Sequence, residues 1–346
     1  MKIISVDPLW FHKGESNNYL SARFFFTKNY VDALFFSSKT NFNIWILNCL
    51  RSFTNIYSIL SKKKIVFNYS TLNSEYDVAI IQGNPILDYL KAFKGVKILK
   101  IASLFDYNYY PINLSNELKI YNVNTVIGHT RHDVFDPFFS KIFQTNNFNH
   151  VIDYPFGFND KSDFDAEKKS TKIVGLGAIS KFNRPRQHEL KEYYSYMKNI
   201  KRNYSHLDRQ WFRDNSLKIN EIFQNYFPDD KTRRNNDFEE KDVLPKYSFF
   251  LNDLGSLNFL PARFFEGIGN GVIPFAINHP IYKHYGFDES NMVFYSDYEI
   301  DEIRFKHQKA MENIFDLKKQ LKKSKDLFSY ESINKKLLKD INDVVN

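Results

Sequence analysis

The chain has 346 residues, of which 43% are hydrophobic and 25% are charged, and this composition excludes a disordered chain. Its net charge of +8 is compatible with nucleic acid or an anionic membrane as a partner, and its length suggests about two domains. The single cysteine, Cys49, excludes a disulfide framework and a multi-cysteine zinc site. The sequence shows neither a signal peptide nor a run of ~18 apolar residues, so we expect a cytoplasmic protein without a membrane span.

Short apolar runs alternate with stretches of helical length in the first half of the chain. The helical stretches are residues 17–27, 44–60 and 85–93. The apolar runs predict buried strands at residues 2–6, 65–67, 78–81, 98–103 and 125–128. Strands that alternate with helices predict a parallel sheet covered on both faces.

The second half begins after a turn-rich, charged stretch. We interpret residues 159–171 as a linker between a first domain, 1–158, and a second domain, 172–325, with a helix at 326–346. In the second domain the pattern predicts strands from Lys172, at 247–252 and at 272–277, helices at 186–200 and 211–226, a helix starting near Pro261, and Lys-rich helices from Ile300 onward. The predicted fold class is therefore α/β, with two Rossmann-like domains and a ligand cleft between them.

The segment from Leu260 to Phe275 carries the sharpest functional signal. Arg263 and Glu266 are three residues apart, so they share one face of a helix whose free backbone N–H groups lie near Pro261. A positive helix end and an arginine suit a diphosphate, and a carboxylate one turn later can accept hydrogen bonds from a ribose diol. Gly271 and the apolar run after it predict a turn and a strand that hold this pair. An internal salt bridge on a surface helix is the alternative.

The pattern Arg-Phe-Phe-Glu-x-x-x-x-Gly-x-x-Pro resembles the nucleotide-binding motif of GT-B glycosyltransferases, notably the exostosin-type enzymes and the phage DNA glucosyltransferases. The resemblance is strongest over residues 172–295. It implies that Glu266 holds the ribose hydroxyls of a nucleotide sugar and that Arg263 approaches the phosphates. It also implies a GT-B architecture of two facing Rossmann-like domains, with a final helix that packs back toward the first.

A second basic segment follows the first strand of the second domain. It contains Gly175, Gly177 and then three cations at Lys181, Arg184 and Arg186. Glycines let a phosphate approach the backbone, and the resemblance implies that this loop grips the donor diphosphate. Ser180 stands where a dinucleotide fingerprint needs its third glycine, which argues against a nicotinamide or flavin enzyme. A solvated basic face is the alternative.

Three residues are candidates for the base that glycosyl transfer to a hydroxyl requires. Asp106 follows a predicted strand in a setting similar to that of an acidic residue of the phage glucosyltransferases, with the spacing shifted by one. His129 follows another predicted strand, and His12 lies in the loop after the first strand. Each could instead be a structural residue. No metal-ligand spacing and no Asp-x-Asp motif after a strong strand is evident, so we predict metal-independent transfer without a resident cofactor.

The remaining cations form several short clusters. They include Lys62–Lys64, Lys201 and Arg202 with Arg209 and Arg213, Arg233 and Arg234, and the lysines at 318, 319, 322 and 323. Such clusters could attach the protein to anionic lipid at the inner face of a membrane, could bind nucleic acid, or could be solvated charge.

The sequence thus favours a glycosyltransferase that takes a nucleotide sugar, UDP-linked by preference, as its donor. The expected acceptor is a glycan or a lipid-linked glycan of bacterial surface polysaccharide, such as lipopolysaccharide or capsule. Two alternatives remain open: a phage-type enzyme that glucosylates modified bases in DNA, and a non-catalytic nucleotide- or sugar-binding module of the same fold.

Overall fold

The structure is a computed structural model. It describes the backbone of residues 1–6, 25–36, 42–43, 46, 63–81, 98–104, 118–128, 131–136, 140, 148, 150–158, 169–177, 179, 195, 207–227, 243–255 and 258–346. Contacts divide the chain into two compact units, residues 1–155 with 333–346, and residues 156–332. The domain limits expected from the sequence, at 158, 171 and 325, stay a prediction about separately folding parts.

The first unit is built on a seven-stranded sheet in which every strand pair is parallel. Its strand order is β3-β2-β1-β4-β5-β6-β7. Parallel pairing needs crossovers, and the buried strands are accordingly apolar throughout, as expected for a sheet that helices cover. The strands are β1 Ile3–Val6, β2 Ala33–Phe35, β3 Lys64–Val66, β4 Val78–Ile81, β5 Leu99–Leu104, β6 Thr125–Gly128 and β7 His150–Asp153.

Helices of the first unit are short where the structure describes them. Residues 25–30 are helical, α1 spans Tyr69–Glu75 and α2 spans His132–Phe135. The N-cap of α1 is Asn68, whose side chain accepts a hydrogen bond from the Ser70 backbone N–H. The strands β1, β3, β4, β5 and β6 confirm the apolar runs identified in the sequence. The short strands β2 and β7 were not predicted.

The second unit contains a five-stranded parallel sheet in the order β12-β11-β10-β8-β9. The α/β class with two Rossmann-like sheets is thereby confirmed. The strands are β8 Ser170–Leu176, β9 Phe223–Tyr226, β10 Tyr247–Leu251, β11 Ile273–Ile277 and β12 Val293–Tyr295. The helices are α3 Leu207–Asp214, α4 Ala262–Gly269, α5 Pro280–His284, α6 Ile300–Glu312 and α7 Ile314–Lys325, with short 3₁₀ turns at Leu244–Lys246 and Asp326–Phe328.

One predicted helix of the second unit is wrong. The sequence suggested a helix over residues 211–226, but α3 ends at Asp214 and residues 223–226 form the edge strand β9. Four residues are too few to show whether a pattern repeats every 2 or every 3.6 residues, and pairing with β8 makes the choice.

The C-terminal helix α8, Tyr330–Val345, begins in the second unit and passes into the first at Ile333. Within the first unit Ile333, Leu337 and Ile341 are buried at helical spacing. The Tyr154 hydroxyl donates a buried hydrogen bond of 2.7 Å to the Asn334 side chain. These contacts give α8 a packed face in the unit that contains the seven-stranded sheet.

Candidate functional site

The strand order of the second sheet reverses at β8, and this reversal defines where a ligand would bind. β8 pairs with β9 on one side and with β10 on the other. Ligands of open α/β sheets bind outside the carboxyl ends of the strands at such a switch point. In this chain the two strand ends are Leu176 and Leu251, so Gly177 and the loop that begins at Asn252 border the position.

Arg263 reaches this position from the first turn of α4. The helix follows Pro261, as predicted, because the extended backbone of the proline precedes the helical turn. The Arg263 Nη1 donates a hydrogen bond of 2.8 Å to the Leu176 carbonyl oxygen. Arg263 and Glu266 are both half-buried, whereas Phe264, Phe265 and other residues of α4 are buried in the core. The predicted common face of Arg263 and Glu266 is therefore confirmed.

Glycines hold α4 close to its sheet and fix its end. A Cβ on Gly267 would lie 2.4 Å from Cε1 of Phe250 in β10, so only glycine permits this approach. At the other end Gly271 has a φ of +64°, and Val272 N–H donates to the Gly267 carbonyl at 3.0 Å. This pattern is a Schellman motif, and it turns the chain directly into β11. The helix–turn–strand geometry expected from the sequence is confirmed.

Gly177 is the point where two arginines converge. Its φ is +106°, a conformation that side chains rarely adopt. A Cβ there would lie 2.1 Å from Arg263 Nη1 and 2.7 Å from Arg209 Nη1. The two nitrogens are therefore within about 5 Å of each other, and two unit charges at that range repel by about 3 kcal/mol at an effective dielectric constant of about 20. An anion beside them would relieve this repulsion.

Arg209 was missed as a site residue. The sequence grouped it with surface cations, but the structure corrects that interpretation, since only 6% of the residue is exposed. It lies in the first turn of α3, and its backbone N–H donates a 3.2 Å hydrogen bond to Oδ2 of Asp253. The other oxygen, Asp253 Oδ1, accepts a 2.5 Å hydrogen bond from the Gly255 N–H. No local pattern reveals this arrangement, because the two partners are 44 residues apart.

Two buried carboxylates balance the arginines. Asp208 accepts a short hydrogen bond from the Tyr298 hydroxyl, and Asp208 and Asp253 are both almost fully buried. Burial raises the pKa of the Tyr282 and Tyr295 hydroxyls well above the usual range, and the two carboxylates act in the same direction. The tyrosines therefore stay neutral, and the charges at this strand end belong to the two arginines and the two aspartates.

The other predicted site residues lie outside the described part of the chain. Asp106 follows β5 by two residues and His129 directly follows β6, but neither is described, and the same holds for His12. The three cations Lys181, Arg184 and Arg186 are also outside it. Within the described ranges no group of three or more metal-ligating side chains lies together. None of the described helices is long and apolar enough to span a bilayer.

Comparison with known proteins gives a fold. No protein-family model matches the sequence, and no curated protein matches it. Anabaena HepE, crystallised in complex with UDP, is similar with a TM-score of 0.54 and 11% identity, covering 99% of this chain and 100% of that one. The apo form of the lipopolysaccharide outer core galactosyltransferase WaaB is similar with a TM-score of 0.53 and 10% identity, covering 99% and 100%. The predicted GT-B architecture is confirmed, while the likeness to exostosin-type and phage enzymes stays a prediction.

Proposed function

We propose that the chain is a glycosyltransferase that uses a nucleotide sugar, UDP-linked by preference, as its donor. The observation that carries this proposal is the convergence of Gly177 and Arg263 at the switch point of the second sheet, with Glu266 one turn further along α4. The UDP bound in the crystal structure of HepE, which has the same fold, supports a uridine nucleotide as the ligand.

Each residue of this site has a role that follows from its chemistry. The Arg263 guanidinium offers several donors to phosphate oxygens in a fixed planar geometry. Gly177 lets the diphosphate approach the backbone because no Cβ stands in the way. The Glu266 carboxylate accepts hydrogen bonds from the two ribose hydroxyls. Lys181, Arg184 and Arg186 are proposed as further cations of the same diphosphate.

The reaction transfers the sugar to an acceptor hydroxyl. The acceptor oxygen forms a bond to the anomeric carbon, and the bond from that carbon to the β-phosphate oxygen breaks, with its electron pair leaving on the nucleoside diphosphate. A base takes the acceptor proton, and Asp106 or His129 is proposed for this role, with His12 as the alternative. Fixed positive charge beside the departing diphosphate stabilises the transition state without a metal ion or a resident cofactor.

The proposed acceptor is a glycan or lipid-linked glycan of bacterial surface polysaccharide. The galactosyltransferase WaaB, which has the same fold, supports this choice. So does the surface of α7, where Phe315 is 86% exposed beside the lysines at 318, 319, 322 and 323. Such a surface suits peripheral contact with anionic lipid at the inner face of a membrane. Retention on anionic vesicles but not on duplex DNA supports this acceptor, and the opposite result supports the DNA-modifying alternative.

The donor site is tested by measuring affinity for UDP and for 2′-deoxy-UDP. We expect wild-type protein to prefer UDP, because Glu266 binds the 2′-hydroxyl, and we expect E266A to lose that preference, with UDP weakened by about tenfold or more. The control is E289A, which removes a carboxylate from an exposed turn of the same unit. An E266A protein that still prefers UDP contradicts the assignment.

Catalysis is tested by donor hydrolysis and transfer. A thermal-shift screen of nucleoside diphosphates and their sugars identifies the donor, since a ligand that binds only the folded state stabilises it. Release of the nucleoside diphosphate from that donor distinguishes an enzyme from a binding module of the same fold. Activity that persists with a chelator supports metal-independent transfer, and D106N should abolish transfer while donor affinity is unchanged.

A further inference from the structure

The first turn of α3 contains a charged pair that the proposed function does not yet use. Asp208 and Arg209 are adjacent, and both are almost fully buried. Burying a guanidinium is costly unless it performs a structural or a binding task. Its Nη1 lies beside Gly177, at the carboxyl end of β8, on the same point that Arg263 reaches from α4.

Asp253 fixes the backbone from which Arg209 extends. One carboxylate oxygen accepts from the Arg209 N–H in the first turn of α3, and the other accepts from the Gly255 N–H in the loop after β10. A carboxylate at that turn also favours the helix through the helix dipole. The residue therefore ties α3 to the loop that borders the switch point, and the direction of the Arg209 side chain depends on this connection.

The two arginines approach the site from different elements. Arg263 comes from α4 and bonds the Leu176 carbonyl, while Arg209 comes from α3. Their terminal nitrogens meet at the one residue, Gly177, that leaves the backbone uncovered. Two planar cations on either side of an open backbone position match a ligand with two neighbouring anionic groups, and a single carboxylate or sugar hydroxyl would not need both.

We propose that Arg209 is a second arginine ligand of the donor diphosphate and that Asp253 is the positioning residue that holds it there. This inference rests on the proposed function, since it assigns a further residue to the same donor site. It makes no use of Lys181, Arg184 or Arg186. Arg263 and Arg209 together contact the phosphates, and Glu266 contacts the ribose.

The experiment measures UDP by calorimetry and uridine by competition on the full chain. R209Q should weaken UDP by about tenfold or more and change uridine by less than about twofold, because only the diphosphate contacts the guanidinium. R213Q is the control, since Arg213 lies one turn further along α3 and bonds Gln210 at 2.8 Å. It should leave both affinities unchanged.

Two further variants separate binding from folding. R209K keeps the charge but loses the planar fork, so UDP should weaken by about threefold to tenfold with uridine unchanged. D253N should weaken UDP in the same selective way while R209 itself is intact. If R209Q does not fold, these two variants decide the matter, and circular dichroism establishes that each is folded.

Several results would overturn the inference. UDP binding as in wild type by R209Q, or by R209K where R209Q does not fold, removes Arg209 from the site. Equal losses for UDP and uridine make it a structural residue only. In both cases E266A would still discriminate UDP from 2′-deoxy-UDP, so the proposed function would stand. Wild-type protein that binds neither UDP nor uridine contradicts the proposed function itself.

Discussion

Replacing Gly177 by alanine tests the geometry of the donor site with a single methyl group. The residue has a φ of +106°, so alanine is strained there whatever the surroundings. The added Cβ would also lie 2.1 Å from Arg263 Nη1 and 2.7 Å from Arg209 Nη1. Both nitrogens are the ends of long side chains, so we expect them to move away and the fold to survive.

The expected magnitudes follow from these two effects. Backbone strain at positive φ costs about 1–2 kcal/mol of unfolding free energy. Moving Arg263 breaks its hydrogen bond to the Leu176 carbonyl and takes its guanidinium away from the phosphates. A charge-assisted contact of this kind contributes about 1.5–3 kcal/mol, which corresponds to about a tenfold to hundredfold loss of UDP affinity.

Gly286 provides the matched control. Its φ is +78°, and an added Cβ would meet nothing within 4 Å. G286A should therefore reproduce the loss of unfolding free energy, measured by urea denaturation, without the loss of UDP affinity, measured by calorimetry. UDP binding by G177A at the wild-type level, or an equal loss in G286A, would refute the placement of the two arginines around Gly177.

Two further predictions concern packing and charge. G267A should lower the unfolding free energy by about 1–2 kcal/mol in urea denaturation, because a methyl 2.4 Å from the Phe250 ring outweighs the gain in helix propensity; a stabilised variant contradicts the packing of α4 on β10. Burial lowers the pKa of the Lys100 ammonium below its usual 10.5, so the folded state binds fewer protons than the unfolded state and wild-type stability rises with pH below that value. K100M should therefore exceed wild type in Tm most at neutral pH and least near pH 10.5, and parallel Tm curves for the two proteins would exclude this cost of burial.

The local part of the site could be predicted because its geometry is set within one segment. Arg263 and Glu266 share a face since helical periodicity places residues three apart together, and Gly271 ends the helix by hydrogen bonds to residues just before it. The alternation of apolar strands with helical stretches predicted two parallel sheets for the same reason. Periodicity failed at β9, where four residues are paired by β8 and carry no pattern of their own.

The amino-acid sequence by itself determined the α/β class and the Arg263–Glu266 helix. Only the tertiary structure decided that Arg263 bonds Leu176, 87 residues away, and that Arg209 is buried beside Gly177 instead of exposed with other cations. The physical reason is that parallel strands bring distant loops to one sheet edge. The charge of a residue is written in the sequence, but whether it faces solvent or a ligand depends on strand order.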